Sequence, residues 1–344
     1  MARTNIPVTK IAKAAGVSPA TVSRVLKHPE LVQGKTRVLI ENAIKNAGYD
    51  LEALLKQNNN SSNNVIMVIL PTIENPFYNN ILKGIKTSAT AHGFPVIIYT
   101  GNIDSKNLSN LLFVSKKTCV GGIICLGRKL ELPIANAIEE ELPLVQCCEY
   151  NKDASSVYVS INDYLAAKNA TNHILNLNYR RIAFINGPIS YNYAQERLRG
   201  FEAALAERDV IIPPSWKISL PEVSYSLGLS AASQLLGTDD RPDAIFCAAD
   251  VFALSVIKAA NRYGLNVPRD IGVVGFDNIE VASIAVPSIT TINQPAFQIG
   301  FTAGETMFER IRDPEAKPSP ILLDTELISR DSIIPFHRKV KLAR

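Results

Sequence analysis

The 344-residue sequence has none of the short motifs that mark common catalytic and nucleotide-binding sites. No G-x-G-x-x-G follows the first long apolar run, and G-x-x-x-x-G-K-[S/T], H-E-x-x-H and G-x-S-x-G are all missing. Histidine occurs only at His28, His92, His173 and His337, each without an acidic or cysteine partner nearby in the sequence. These absences count against an enzyme, and no catalytic residue is assigned. The five cysteines, Cys119, Cys125, Cys147, Cys148 and Cys247, make no C-x-x-C pair and no metal-ligand spacing. Most lie in apolar runs such as GGIICLG and LPLVQCC and read as reduced core thiols, with no metal and no cofactor expected. No apolar run reaches the ~20 residues that a bilayer crossing needs, and no signal-peptide core opens the chain. The expectation is a cytoplasmic protein with no membrane partner.

Charge is unevenly spread. Residues 1–60 carry nine Lys/Arg against four acids, while the rest holds 27 basic and 28 acidic residues. A basic head on a near-neutral body fits a polyanion-binding module joined to something else. Within that head, VTKIAKAAGVSPATVSRVL (8–26) reads as two short helices and a tight turn. Ile11, Ala12 and Ala15 share one helical face, Gly16 supplies the turn, Ser18 caps the next helix and Pro19 suits its first position. Val22, Val25 and Leu26 turn inward, leaving Pro19, Ala20 and Arg24 on the outer side, where a recognition helix meets base edges.

This segment, with Thr36-Arg37 and Ala47-Gly48-Tyr49 on a third helix near 36–47, resembles the head-piece of the lactose-repressor/galactose-repressor (LacI/GalR) family of bacterial transcription regulators. The resemblance runs to about Asp331, and GFDNIEVASIAVPSITTINQP is similar to the cytidine-repressor branch. It implies a helix-turn-helix head over 1–50, a hinge and linker over 51–64, and a periplasmic-binding-protein-like body over 65–332. The body would be two doubly wound parallel-sheet lobes, about 65–162 with 293–322 and about 163–292 with 323–332. The basic tail, 333–344, reads as disordered.

Short apolar runs alternating with helical stretches support that body independently: VIMVIL, PVIIYT, GGIICL, PLVQCC, VYVSI, then RIAFI, AIFCA and IGVVGF, with helices near 77–91, 192–207 and 251–263. The polar run Asn58–Asn64 reads as a flexible linker.

Ser18, Thr21, Ser23, Thr36 and Arg37 are the expected phosphate contacts, with Lys27 and Lys35 nearby. The family match gives Pro19 and Ala20 the variable base-reading positions and makes Arg24 the motif's arginine, whose fork could bind guanine bidentately. The hinge departs from the family: Leu51, Glu52 and Asn58 replace its proline, asparagine and wedging leucine. Leu54 or Leu55 could insert into the minor groove instead, or the hinge bends DNA less. One head covers half of a pseudo-palindromic double-stranded operator, so a homodimer is expected.

For the body, strand ends should face a cleft. Asn75 and Phe77 follow the first strand, and Gln294 lies at a crossover. The resemblance makes Arg197 and Asp277 effector contacts and places Asp250 at a helix start, where capping is the simpler job. Where relatives have Asp-Asn, this chain has Asn162-Asp163, so the ligand carboxylate is an amide or the pair exchanges roles. The implied function is a regulator, a repressor by preference, whose operator affinity follows a small effector, a carbohydrate first and a nucleoside second. The rivals are control by a partner protein, a sugar-binding transport protein or an enzyme.

Overall fold

The computed structural model describes residues 8–27, 32–48, 64–101, 103–127, 129–313 and 319–336. Two units form: one carries the three N-terminal helices, and the other nearly all of the α/β elements. In the first, α1 (Val8–Ala15), α2 (Pro19–Lys27) and α3 (Gly34–Asn46) enclose Ile11, Ala12, Val22, Val25, Leu26, Ile40, Ala43 and Ile44. Gly16 sits at φ +66°, and the Val17 N–H reaches back to the Ala12 carbonyl at 3.0 Å, which closes α1 with a left-handed residue. Pro19 opens α2, and the Thr21 N–H donates to Ser18 Oγ at 3.1 Å. The cap, the turn and the apolar faces therefore each have a local cause.

The second unit contains two six-stranded sheets. The first, ordered β11-β5-β4-β3-β1-β2, is built from β1 (Val65–Leu70), β2 (Val96–Thr100), β3 (Val120–Leu126), β4 (Leu144–Cys147), β5 (Val157–Ile161) and β11 (Ile321–Leu323). The second, ordered β12-β10-β9-β8-β6-β7, uses β6 (Ile182–Asn186), β7 (Lys217–Ser219), β8 (Ala244–Cys247), β9 (Gly272–Asp277), β10 (Thr290–Asn293) and β12 (Glu326–Ile328). β12 pairs antiparallel with β10, whereas β4 on β3, β5 on β4, β8 on β6 and β9 on β8 run parallel. Central strands such as VIMVIL are buried on both faces, which is why they read as unbroken apolar runs.

Helices cover the sheets: α4 (Phe77–Ala91), α5 (Leu108–Lys117), α6 (Leu132–Glu139), α7 (Asp163–Asn176), α8 (Asn192–Ala206), α9 (Tyr225–Leu236), α10 (Asp250–Arg262), α11 (Glu280–Ile284) and α12 (Ala296–Arg312). α12 packs on α4, and α7 on α8. The first contact depends on glycine, because a Cβ at Gly84 would strike the Phe297 carbonyl and one at Gly300 the Ile81 carbonyl. The chain passes between the sheets three times, after β5, after β10 and after β11.

The tail needs a correction. Residues 333–336 are not disordered: Ile333 is buried, Tyr179 Oη donates to the Ile334 carbonyl at 3.0 Å, and the Phe336 ring packs on Tyr179 at 4.9 Å. Two apolar side chains in the segment give it something to bury. Residues 337–344 lie outside the described residues.

Candidate functional site

In the head, the outer side of α2 exposes Ser18, Pro19, Ala20 and Arg24, with Thr21 and Ser23 half-buried beside them. Ser18 and Thr21 are brought together, their hydroxyls 2.8 Å apart. Thr36 and Arg37 stand apart from them in sequence on the first turn of α3, and Arg37 Nε donates to Glu41 Oε1 at 2.6 Å. That exposed pair is weak. Leu54 and Leu55, like the rest of the hinge, lie outside the described residues.

Both sheets have the winding 2-1-3-4-5, which opens a crevice at the carboxyl ends of the strands where the order reverses. There the two lobes enclose a cavity of about 700 Å³. After β1 come Asn75, Phe77 and Tyr78; after β6 come Tyr191, Tyr193 and Arg197; Asp163, Asp277 and Gln294 complete the polar wall. Asn75 Oδ1 accepts the Phe77 N–H at 3.1 Å, in a turn just before α4, and Asn75 lines the cavity.

Arg197 organises the floor. Its Nε donates to Asp163 Oδ1 at 2.8 Å and its Nη1 to the Ala248 carbonyl at 2.7 Å, with Asp277 Oδ1 at 3.7 Å. The guanidinium lies 3.5 Å from the Phe276 ring centroid, a cation–π stack that holds the fork flat. Gln294 Nε2 donates to Asp277 Oδ1 at 2.7 Å. Burial pushes the Asp277 carboxyl up to about 7, with Arg197 and Gln294 pulling it down. Burial also raises Asp163, against the attraction of Arg197. Asp277 holds φ at +103°, a strained backbone for a non-glycine residue, of the kind that persists where surroundings fix a functional group.

Helix geometry sends Asn162 and Asp163 in different directions. Asn162 Oδ1 caps α7 by accepting the Leu165 N–H at 3.0 Å and does not line the cavity; Asp163 does. An amide accepts an N-cap bond without bringing charge, which frees the carboxylate for Arg197. Asp250 does start α10, as expected, but its side chain neither caps that helix nor reaches the cavity. It is fully buried, accepts from Thr291 Oγ1 at 2.7 Å and from the Ile279 N–H at 2.9 Å, and is not among the lining residues. Burial and the nearby Asp277 raise its carboxyl to about 8, and Gly275 must lack a Cβ because Asp250 occupies that space. Its work is to pin β9, β10 and the loop before α11.

Glu149 was missed by the sequence reading. It follows β4 in the first lobe, is 1% exposed, and spans to the second lobe. Its two oxygens accept the Asn192 and Tyr193 N–H groups, each at 2.8 Å, at the start of α8. Asn192 Nδ2 adds a bond to the Tyr150 carbonyl at 2.6 Å. Burial drives the Glu149 carboxyl up to about 7, while the two backbone donors pull it down. Its position just past a strand end was the available signal.

A helix-turn-helix head and a two-lobed α/β body walled around an internal cleft together define a class: DNA-binding transcriptional regulators. Residues 8–50 match the description "Bacterial regulatory proteins, lacI family", and residues 171–333 match "Periplasmic binding protein-like domain". The chain is 32% identical over 327 residues to the HTH-type transcriptional repressor CytR of Escherichia coli (strain K12), covering 94% of each. It is 29% identical over 324 residues to the ribose operon repressor of the same strain, covering 94% of this chain and 98% of that protein. The solved complex of the transcriptional regulator CelR with cellobiose superposes with a TM-score of 0.71 at 26% identity, over 95% of this chain and 100% of that one. The chain belongs to the LacI family of bacterial transcriptional regulators. No helix among the described residues is long and apolar enough to cross a membrane.

Proposed function

We propose that this regulator binds a pseudo-palindromic operator as a homodimer and that a neutral polyol, a sugar or nucleoside, bound between the lobes sets its operator affinity. The carrying observation is the buried Arg197–Asp163–Asp277 floor, opening on the same cavity as Phe77, Tyr78, Tyr191 and Tyr193. Carboxylates accept from vicinal hydroxyls, and aromatic rings cover the apolar face of a sugar or base. A buried ion pair is poor value for stability alone, which favours a binding role for this one.

At the other end, α2 enters the major groove. Arg24 reads a base, Pro19 and Ala20 contact methyl groups, and Ser18, Thr21, Ser23, Thr36 and Arg37 hold phosphates. Ligand in the cleft changes how the lobes sit on each other, and the DNA affinity changes with it. The relatives named repressors make repression the preferred sign of control. The test is selection of bound fragments from genomic DNA by the full chain, with and without a panel of sugars and nucleosides. Enrichment of one sequence class that a panel member alters supports the reading; binding without sequence preference refutes it.

A further inference from the structure

A phosphate ester finds two natural seats in a doubly wound fold: a helix N-terminus and a cationic side chain. At this cleft the chain's own side chains take donors at the starts of α4, α7 and α8 and hold the cation, while the starts of α9 and α10 carry no side-chain cap. At the start of α4 a donor goes to Asn75, and at the start of α7 one goes to Asn162 with Asp163 following in the first turn. The first two donors of α8 go to Glu149, whose carboxylate sits where a phosphate would sit. The first turn of α10 carries Asp250.

Cations are as fully committed. Among the described residues lining the cavity, Arg197 is the single cationic side chain, and it is held by Asp163 and the Ala248 carbonyl. Against it the wall presents five carboxyl groups, those of Glu74, Glu149, Asp163, Glu222 and Asp277. A wall of that sign holds off an anion and welcomes hydroxyl and amine donors.

We infer that the cleft takes the unphosphorylated form of a hydroxyl-rich ring, uncharged or amine-bearing, and rejects its phosphate ester, with Glu149 as the residue that sets this choice. The inference rests on the proposal that this cleft is the effector site and adds the charge class of the ligand. It separates a regulator that senses a nutrient or a salvaged nucleoside before kinase action from one that senses the product of phosphorylation.

The experiment is calorimetric titration of the full chain at pH 8, where Glu149 and Asp277 are mostly ionised. The probes are matched sets: ribose and glucose with their 5- and 6-phosphates, and the common ribonucleosides with their 5′-monophosphates. Each ring that binds is also tested as its uncharged O-acetyl ester at the same position. The expected result is that at least one parent ring binds, its O-acetyl ester loses less than 10-fold, and its phosphate loses at least 100-fold. The Glu149→Gln variant, which removes the charge and keeps one of the two oxygens that accept the α8 donors, should narrow the phosphate gap by 10-fold or more.

A phosphate that binds as well as its parent overturns the inference while leaving the effector reading standing. An O-acetyl ester rejected as strongly as the phosphate overturns it too, because bulk and not charge is then being read. If no member of any set binds, the effector reading fails and the inference falls with it.

Discussion

The first lobe's sheet runs β2-β1-β3-β4-β5 and the second's β7-β6-β8-β9-β10, the same order twice, yet the side chains they bring to the cleft differ in kind. The second lobe holds the fixed polar floor, with Arg197 on α8, Asp277 at the end of β9 and Asp163 at the start of α7, all buried, Arg197 bonded to Asp163 and 3.7 Å from Asp277. The first lobe supplies Phe77, Tyr78 and one reaching carboxylate, Glu149, whose partners lie 43 and 44 residues further along the chain. With the cleft as the proposed effector site, one half of this duplicated scaffold would position the ligand and the other would cover it. The difference also locates what can move, since the floor's bonds lie largely within one lobe and those of Glu149 run between lobes.

The harshest way to break this comparison is Arg197→Ala. It leaves Asp163 and Asp277 buried without their cation, at a cost of about 3–5 kcal/mol. For a body of this size the unfolding midpoint should fall by roughly 10 °C, and effector binding should be lost. Thermal unfolding and titration check both; an unchanged midpoint would contradict the floor's role. Glu149→Ala sharpens the contrast, since it removes two charge-assisted bonds between the lobes and leaves the floor intact. About 1.5–3 kcal/mol of stability should go, with weakened but measurable effector binding.

Much of the head was legible because its signals are local. Gly16, Ser18 and Pro19 mark a turn and a cap within four residues, and the inward faces of α1 and α2 follow from helical spacing. The central strands were legible as apolar runs, within a residue at their ends for VYVSI and VIMVIL. α5 and α9 were not placed, since segments such as LSNLLFVSKK and YSLGLSAASQLL show little contrast between their faces. In the cleft, Arg197 and Asp277 were named from the resemblance and do meet there. Asn162 and Asp250 were named as well and turn elsewhere, because capping and strand-pinning depend on backbone directions that a sequence does not display. Glu149 escaped notice because its partners are backbone N–H groups of the other lobe.

Arg24→Ala probes a region outside both lobes. It should lower the preference for operator over random DNA by about 10–100-fold, in line with about 1–3 kcal/mol for a bidentate base contact. Effector binding should not change, and fluorescence anisotropy with both DNAs measures the ratio. If the ratio holds, Arg24 is a surface arginine.

The smallest expected effect is on pH dependence. Glu149 and Asp277 have carboxyls raised to about 7, and Asp250 to about 8, mainly by burial. The folded state therefore holds these protons more tightly than the unfolded chain, so their stabilisation is present in acid and is lost as pH rises through those values. Arg197, Asp163, Gln294 and the α8 N–H groups face Glu149 and Asp277; Thr291, the Ile279 N–H and the nearby Arg330 act on Asp250. The ligand-free midpoint should be a few degrees higher at about pH 5.5 than at about pH 8. A hydroxyl-donating effector prefers ionised acceptors, so its affinity should rise across the same interval. A flat profile would show that these groups do not titrate in the folded protein.

The most direct measurement is operator affinity of the full chain with the cleft empty and with it filled by a ligand whose binding Arg197→Ala abolishes. The account predicts a change of at least several-fold. A ligand shown to occupy the cleft that leaves operator affinity unaltered would contradict it.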